Sequence, residues 1–351
     1  MAASLQQHDP GSQLWVLSLD AFTTRFLREL KQKDLHVTDL SELEKADAEL
    51  LKTKANRTRV EYYFTLSPCW PLHLLRENAS IQRITYVDAD MFFFASPEPI
   101  FAEMKEASVL VTEHRYPPHL SHHERYGRFN VGLLSFCNDS DGLMCLDDWR
   151  EKCIDWCYDR DEDGKYADQK YLDAWPELLG KALHIVRRRG VNLAPWNWSQ
   201  YHYTFPNGRC LVNCDPLELF HFARFRPNFG CLFFQSGQLE YGIMPWRLRQ
   251  HVYGTYWRAL KKAETRVSAL RSGHRLPCST NRGWHGFWRA FIPRVIFGSD
   301  WLRVGSYFIS GRFGLGRYSG QILSWLRRRF GKQPAPVTRK PHPVLSAVPF
   351  E

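Results

Sequence analysis

Short apolar runs of strand length alternate with helix-patterned segments through the first 225 residues, and this alternation limits the fold more than any single motif. "LWVLSLD" (14–20) reads as a strand and leads into the amphipathic "FTTRFLREL". "LHVTDL" is a second strand candidate, and "SELEKADAELLKTK" has helix composition, with Ser41 as its cap and Glu44 three residues on completing a capping box. "PLHLLREN" predicts a short helix ahead of "RITYV", and "SPEPIFAEM" another after it. "SVLVTEH", "FNVGLLSF", a long helix near 140–157 and "DQKYLDAWPEL" follow. Strand and helix in turn predict an α/β fold, a mixed, mostly parallel sheet flanked by helices.

A chain of 351 residues holds one large domain with an appendage, or two modest domains. At 44% hydrophobic, 24% charged and 15% aromatic, with 13 Trp, the composition excludes disorder of the whole chain. The formal charge of +10 is concentrated: residues 241–351 carry about 20 Lys and Arg against about 3 Asp and Glu, so the first 240 are mildly acidic. The texture also changes near 240, which divides the chain into a body (1–240), a basic, aromatic-rich helical extension (241–331) and a Pro-rich disordered tail (332–351). The nine cysteines are scattered. Cys153 and Cys157, at i and i+4 of the long helix, read as buried small apolar groups rather than a zinc or redox pair. "MAASLQQHDPGSQ" has neither the basic nor the apolar region of a signal peptide, and no uncharged apolar run approaches the ~18 residues of a membrane span. A cytoplasmic location is expected.

"ITYVDADMFF" (84–93) sets two carboxylates into one of the most apolar stretches of the chain, where an uncompensated charge costs several kcal/mol. In an extended segment Asp88 and Asp90 face the same side, at the carboxyl end of the strand, where open α/β sheets bind ligands. A hard divalent cation, magnesium or manganese carrying a diphosphate, would offset their repulsion. The plainer alternative is a pair of loop aspartates capping the helix near "SPEPIF".

In order, "ITYVDADMFFFASPEPIF", "FNVGLLSF", "YADQKYLDAWPELL", "LAPWNW" and "FHFARFR" resemble a bacterial nucleotide-diphospho-sugar glycosyltransferase family related to the family 8 retaining enzymes of the GT-A fold, over roughly residues 14–225. The resemblance implies a GT-A-like, Rossmann-like body and transfer of a sugar from a nucleoside-diphosphate donor, a UDP-sugar foremost. The acceptor would be a surface glycan or a lipid-linked glycan, and the configuration would be retained. It implies Asp88, Asp90 and His221 as metal ligands, and Asp88, Asp90, Asn130, Gly132, Arg224 and Arg226 as donor-binding residues. Asp168 and Gln169 would be catalytic, beside the anomeric carbon. An inverting enzyme would instead use a carboxylate there as general base. Trp196 and Asn197 are candidates for a sugar or acceptor platform. Each has a structural alternative: His221 as a core histidine, Asn130 and Gly132 as a turn, Asp168 as a helix cap, and a Trp of "PWNW" as core. Related enzymes place a strand and helix before the counterpart of "LWVLSLD"; with about 13 polar residues there, that first unit is expected to be missing, leaving unpaired sheet edges. A metal-dependent nucleotidyl- or phosphotransferase, or a truncated inactive paralogue acting as a binding subunit, therefore stay open as alternatives.

The apolar stripe Trp284, Phe287, Trp288, Phe291, Ile292, Val295 and Ile296, and the later Trp325 with Arg327, Arg328 and Arg329, suit peripheral contact with an anionic membrane. The stripe fits equally a seam packed on the body. No nucleic-acid module accompanies it.

Overall fold

The computed structural model describes residues 1–228 and 233–270, all within one compact unit. The stripe at 284–296, the Trp325–Arg329 segment and the tail from 332 lie outside the described residues.

The first half alternates as expected. Helix α1 (Ala2–His8) precedes β1 (Leu14–Ser18), α2 (Ala21–Glu29) and β2 (Leu35–Asp39). The predicted helix after β2 divides at Asp47 into α3 (Leu40–Ala46) and α4 (Ala48–Thr53). The capping box belongs to Asp39 and Glu42, not to Ser41 and Glu44. Asp39 Oδ1 takes the Ser41 N–H at 3.0 Å, and Glu42 Oε1 takes the Asp39 N–H at 3.2 Å, because the chain turns helical immediately at the end of β2. Asp47 then caps α4 through the Leu50 N–H.

The short helix expected at "PLHLLREN" is the last part of α5 (Arg59–Glu77), which runs through Pro68 and Pro71. A Thr58–Glu61 capping box starts it, and burial of Leu66, Leu72, Leu74 and Leu75 outweighs the two missing donors. There follow β3 (Arg83–Val87), β4 (Met91–Phe93), α6 (Glu98–Ala102), β5 (Val109–Glu113), a 3-10 helix (Pro118–Tyr126), β6 (Phe129–Cys137) and α7 (Ser140–Asp155). After these come a 3-10 turn (Lys170–Ala174), α8 (Trp175–Leu179) and β7 (Leu183–Ile185).

The central sheet has the order β3-β6-β5-β7. β6 runs antiparallel to both β3 and β5, and β7 is parallel to β5, so three of the four strands share one direction with β6 reversed between them. The sheet is mixed and flanked by helices. Its α7-side core gathers Phe136, Trp149 and Trp175, the two indoles edge to face at 5.7 Å, with Cys153 and Cys157 fully buried as small apolar groups. β1 and β2 form a separate parallel pair, and a cavity of about 1550 Å3 lies between residues of β1 and of β3, lined by Trp15, Leu17, Tyr63, Ser67, Trp70 and Tyr86 among others.

Beyond the sheet, β8 (Tyr203–Thr204), β9 (Leu211–Val212) and β10 (Asp215–Pro216) make a small antiparallel meander. β11 (Leu219–His221) pairs with β4, and β12 (Arg226–Asn228) with β13 (Phe233–Gln235). After α9 (Gln238–Tyr241), α10 (Trp246–Leu270) packs its Val252, Tyr253, Tyr256 and Trp257 against Phe92, Phe220 and Phe222 of the β4–β11 ribbon, with Phe222 and Tyr256 stacked at 3.8 Å. The helix predicted past residue 240 thus shares a core with the ribbon. No helix among the described residues is long and apolar enough to cross a membrane.

The ribbon's position depends on Gly190, whose carbonyl receives the N–H groups of Glu218 and Leu219 at 2.9 and 3.0 Å. A methyl group there would overlap the Pro216 carbonyl oxygen and stand 3.1 Å from Leu217 Cα. Both obstacles are backbone and cannot rotate aside. Gly190→Ala is expected to destabilise the protein by about 3 kcal/mol, read as a lowered urea midpoint at unchanged m-value.

Candidate active site

Asp88 leaves the end of β3 and enters a turn, closed by the Met91 N–H donating to the Asp88 carbonyl at 3.1 Å. The two aspartates converge through this turn rather than through an extended segment. The turn has its own supports: the Asp88 N–H donates to the Gly132 carbonyl at 3.0 Å, and the Phe222 N–H to the Asp90 carbonyl at 2.9 Å. Pairing of β11 with β4 sets His221 opposite Met91, one residue from Asp90. Residues more than 130 positions apart in sequence therefore meet: His221 Nε2 lies 3.2 Å from Asp90 Oδ1 and 3.8 Å from Asp88 Oδ2.

The three donor atoms lie within 4.8 Å of one another. Two carboxylate oxygens and an imidazole nitrogen, open on one side, suit a hard to borderline divalent cation such as magnesium or manganese. The electrostatics agree. Burial raises the Asp88 carboxyl above its usual range, and Asp90 adds to this, while His221 opposes it. Burial acts on Asp90 too, but the hydrogen bond and charge of His221 hold that carboxyl low. For His221, burial disfavours the imidazolium, and the two carboxylates outweigh it and raise its pKa.

Behind the cluster lies a second layer, in which Ser67 and Asp168 are buried and Tyr86 and Gln169 half-buried. Tyr86 O–H donates to Asp88 Oδ1 at 2.9 Å. Ser67 of α5 interacts with both Tyr86 and Asp168. Asp168 is only 4% exposed, and its carbonyl takes the Trp149 indole N–H at 2.8 Å. Its side chain caps no helix. Burial, with the charge of Asp88 and against the hydroxyl of Ser67, pushes the Asp168 carboxyl up to about 7. Gln169 donates to the Tyr126 carbonyl at 3.0 Å and accepts from Asn130 Nδ2 at 3.4 Å.

The amides expected to meet sugar hydroxyls are engaged inside the protein. Asn130 Oδ1 receives the Gly132 N–H and stands 3.2 Å from His221 Nδ1, while its Nδ2 faces His114 Nε2 at 3.3 Å and Gln169. A register shift between β5 and β6, at Val111 and Thr112, pairs Asn130 with Thr112 and gives this residue its inward direction. Asn197 is fully buried; it donates to the carbonyls of His114 and Asn192 and accepts the Ala194 N–H. The Trp196 indole N–H also goes to the His114 carbonyl, and its ring meets His221 edge-on at 5.2 Å. These residues build the loop behind His221, because a tight buried loop must satisfy its own backbone.

Arg224 is exposed, pairs with Glu240 and lies 5.6 Å over the Tyr241 ring; Arg226 is exposed at the start of β12. His114 was not legible as a site residue in "SVLVTEH". It is buried, and burial takes its pKa down to about 3, so the imidazole is neutral.

Gly132 accounts for the closeness of these groups. A methyl there would overlap Met91 Cε and stand 2.8 Å from Asn130 Oδ1 and 3.0 Å from His221 Cε1. Gly132→Ala is expected to displace His221 and, if the cluster holds a divalent cation, to weaken its binding at least tenfold in titration calorimetry, with the fold retained in circular dichroism.

No family model matches the chain. It is 35% identical over 231 residues to the uncharacterized protein YfnF of Bacillus subtilis (strain 168), covering 64% of this chain and 75% of YfnF. It is 36% identical over 228 residues to the uncharacterized protein YfnD of the same strain, covering 64% of this chain and 72% of YfnD. Among solved structures it is similar to the galactosyltransferase LgtC in complex with donor and acceptor sugar analogs, at 16% identity and a TM-score of 0.42, covering 63% of this chain and 81% of that one. It is also similar to the apo form of mouse xyloside xylosyltransferase 1, at 16% identity and a TM-score of 0.38, covering 63% of this chain and 89% of that one. The solved structures are too distant to bear on chemistry, but with more than a third of aligned residues identical across nearly three quarters of each bacterial relative, the chain belongs to the family of YfnF and YfnD.

Proposed function

We propose that this protein is a glycosyltransferase that moves a sugar from a nucleoside-diphosphate donor, a UDP-sugar, to a surface-glycan or lipid-linked acceptor with retention of configuration, using a divalent cation held by Asp88, Asp90 and His221. The observation that carries the reading is the convergence of these three side chains at the carboxyl end of β3, with Asp168 joined to them through Ser67, Tyr86 and Asp88. The ordered motifs from "ITYVDADMFF" to "FHFARFR" support it.

In this reading Asp88 and Asp90 hold the cation and His221 completes the set. The bound cation supplies Lewis-acid stabilisation of the departing diphosphate. Arg224, on the loop after His221, and Arg226, at the start of β12, add positive charge for the phosphates, Arg224 exchanging its Glu240 partner for them. Asp168 faces the sugar, and as a carboxylate it stabilises positive charge at the anomeric centre. Gln169, fixed by Tyr126 and Asn130, orients the same sugar. The cavity beside Ser67, Tyr86 and Ala89 gives the nucleoside room next to the turn.

Calorimetric titration with nucleoside diphosphates and their sugars, with and without Mn2+, tests this. Metal-dependent binding followed by acceptor-dependent release of nucleoside diphosphate is expected. Cleavage of the donor to nucleoside monophosphate and sugar phosphate, rather than to nucleoside diphosphate and a transferred sugar, would replace glycosyl transfer with phosphoryl chemistry. Absence of any binding by folded protein would make the chain a binding subunit.

A further inference from the structure

We infer that His114 is a positioning residue for the cation site, acting through Asn130 to keep the neutral His221 imidazole protonated on Nδ1, with a bare Nε2 facing Asp88 and Asp90. The inference rests on the cation reading above.

The direction of each hydrogen bond follows from a group that has no choice. The backbone N–H of Gly132 only donates, and it reaches Asn130 Oδ1 at 3.2 Å, so the amide oxygen points toward His221 and the amide nitrogen toward His114. The Arg128 carbonyl only accepts, and it lies 3.3 Å from His114 Nδ1, so neutral His114 carries its proton there and offers Nε2 to Asn130 Nδ2 at 3.3 Å. Asn130 Oδ1 only accepts, so His221 Nδ1, 3.2 Å away, is a donor. Without a cation Nε2 hydrogen-bonds Asp90 at 3.2 Å; a cation bound by Asp88 and Asp90 takes the place of that proton, and because Nδ1 remains the donor to Asn130 the ring is then neutral with its lone pair on Nε2.

Free imidazole side chains prefer the opposite tautomer, with the proton on Nε2. That proton would occupy the place of a metal–nitrogen bond. His114 anchors both neighbours of the His221 ring. Its imidazole fixes the Asn130 amide, and its carbonyl holds the Trp196 indole at 3.0 Å, from which Trp196 meets His221 edge-on. His114 thereby orients a ligand it does not touch.

The test is nitrogen-15 NMR of histidine-labelled, full-length protein saturated with Mg2+, with His221→Gln assigning the signal. Wild type should show His221 protonated on Nδ1 and bare on Nε2. Asn130→Leu, close in shape but without an acceptor, should shift His221 toward the Nε2–H form. The same variant should weaken Mn2+ binding, followed by electron paramagnetic resonance of the free ion, by about 10- to 100-fold. Asn130→Asp keeps an acceptor for Nδ1–H and should retain the wild-type tautomer. His114→Phe keeps the ring packing and should weaken Mn2+ in the same direction as Asn130→Leu. An Nε2–H tautomer in wild type, or a folded Asn130→Leu that binds Mn2+ as tightly as wild type, overturns the positioning role. Folded wild-type protein that binds neither Mg2+ nor Mn2+ overturns the cation reading instead, and the inference with it.

Discussion

Asparagine in place of Asp168 should give a protein that is harder to unfold above neutral pH yet, on the proposed function, a much slower transferase. The Asp168 side chain is buried, and burial together with the charge of Asp88 raises its carboxyl to about 7, against an ordinary value of 3.8. The folded protein therefore holds this proton more tightly than the unfolded chain. As pH rises past the unfolded value the unfolded state loses the proton first, and stability falls until the folded carboxyl has also ionised near 7. Above that the cost is constant, at most about 4 kcal/mol. Asparagine keeps the shape and never ionises. Urea unfolding should show Asp168→Asn more stable than wild type by about 2–4 kcal/mol near pH 8, and little different near pH 4. An equal change at both pH values would mean that the carboxylate is not disfavoured in the fold. On the proposed function, in which Asp168 stabilises positive charge at the anomeric centre, turnover should fall by about 10^2- to 10^3-fold. Stability gained together with activity lost would mark Asp168 as a residue kept for chemistry.

Alanine at position 90 should abolish Mn2+-dependent binding of nucleoside diphosphates and lower metal-dependent turnover by about a thousandfold. The Asp90 carboxylate is the nearer acidic partner of His221, at 3.2 Å, and half of the acidic charge available to a cation. The turn itself should survive, because it is held by the Asp90 carbonyl and by the Asp88 N–H rather than by the Asp90 side chain. That side chain is 44% exposed, so its removal creates no cavity and should cost less than about 1 kcal/mol in a thermal melt. Calorimetry with and without Mn2+ reads the first effect and the melt the second. Metal-dependent binding that persists in Asp90→Ala would remove Asp90 from the site.

Much of the fold was legible because its local chemistry was consistent. The alternation from β1 to α8 is written in hydrophobic periodicity, and Cys153 and Cys157 are buried as their helical spacing requires. Where reading failed, a non-local term had won. The capping box slipped from Ser41 to Asp39 because β2 ends directly in a helix, and α5 runs through two prolines because its apolar face is covered along its length.

The site divides the same way. Sequence by itself determined that Asp88 and Asp90 sit together after an apolar strand, since adjacent residues cannot be far apart, and it marked His221, Asp168 and Gln169 through the order of their motifs. Only the tertiary structure decided that the β4–β11 pairing brings His221 to Asp90, and that Asn130, Trp196 and Asn197 face inward to hold that histidine and its loop. It alone put His114 behind them and raised the Asp168 carboxyl. Strand pairing, hydrogen-bond direction and burial are relations between distant parts of the chain, and pKa follows from burial and neighbouring charge, so none of them exists until the chain has folded.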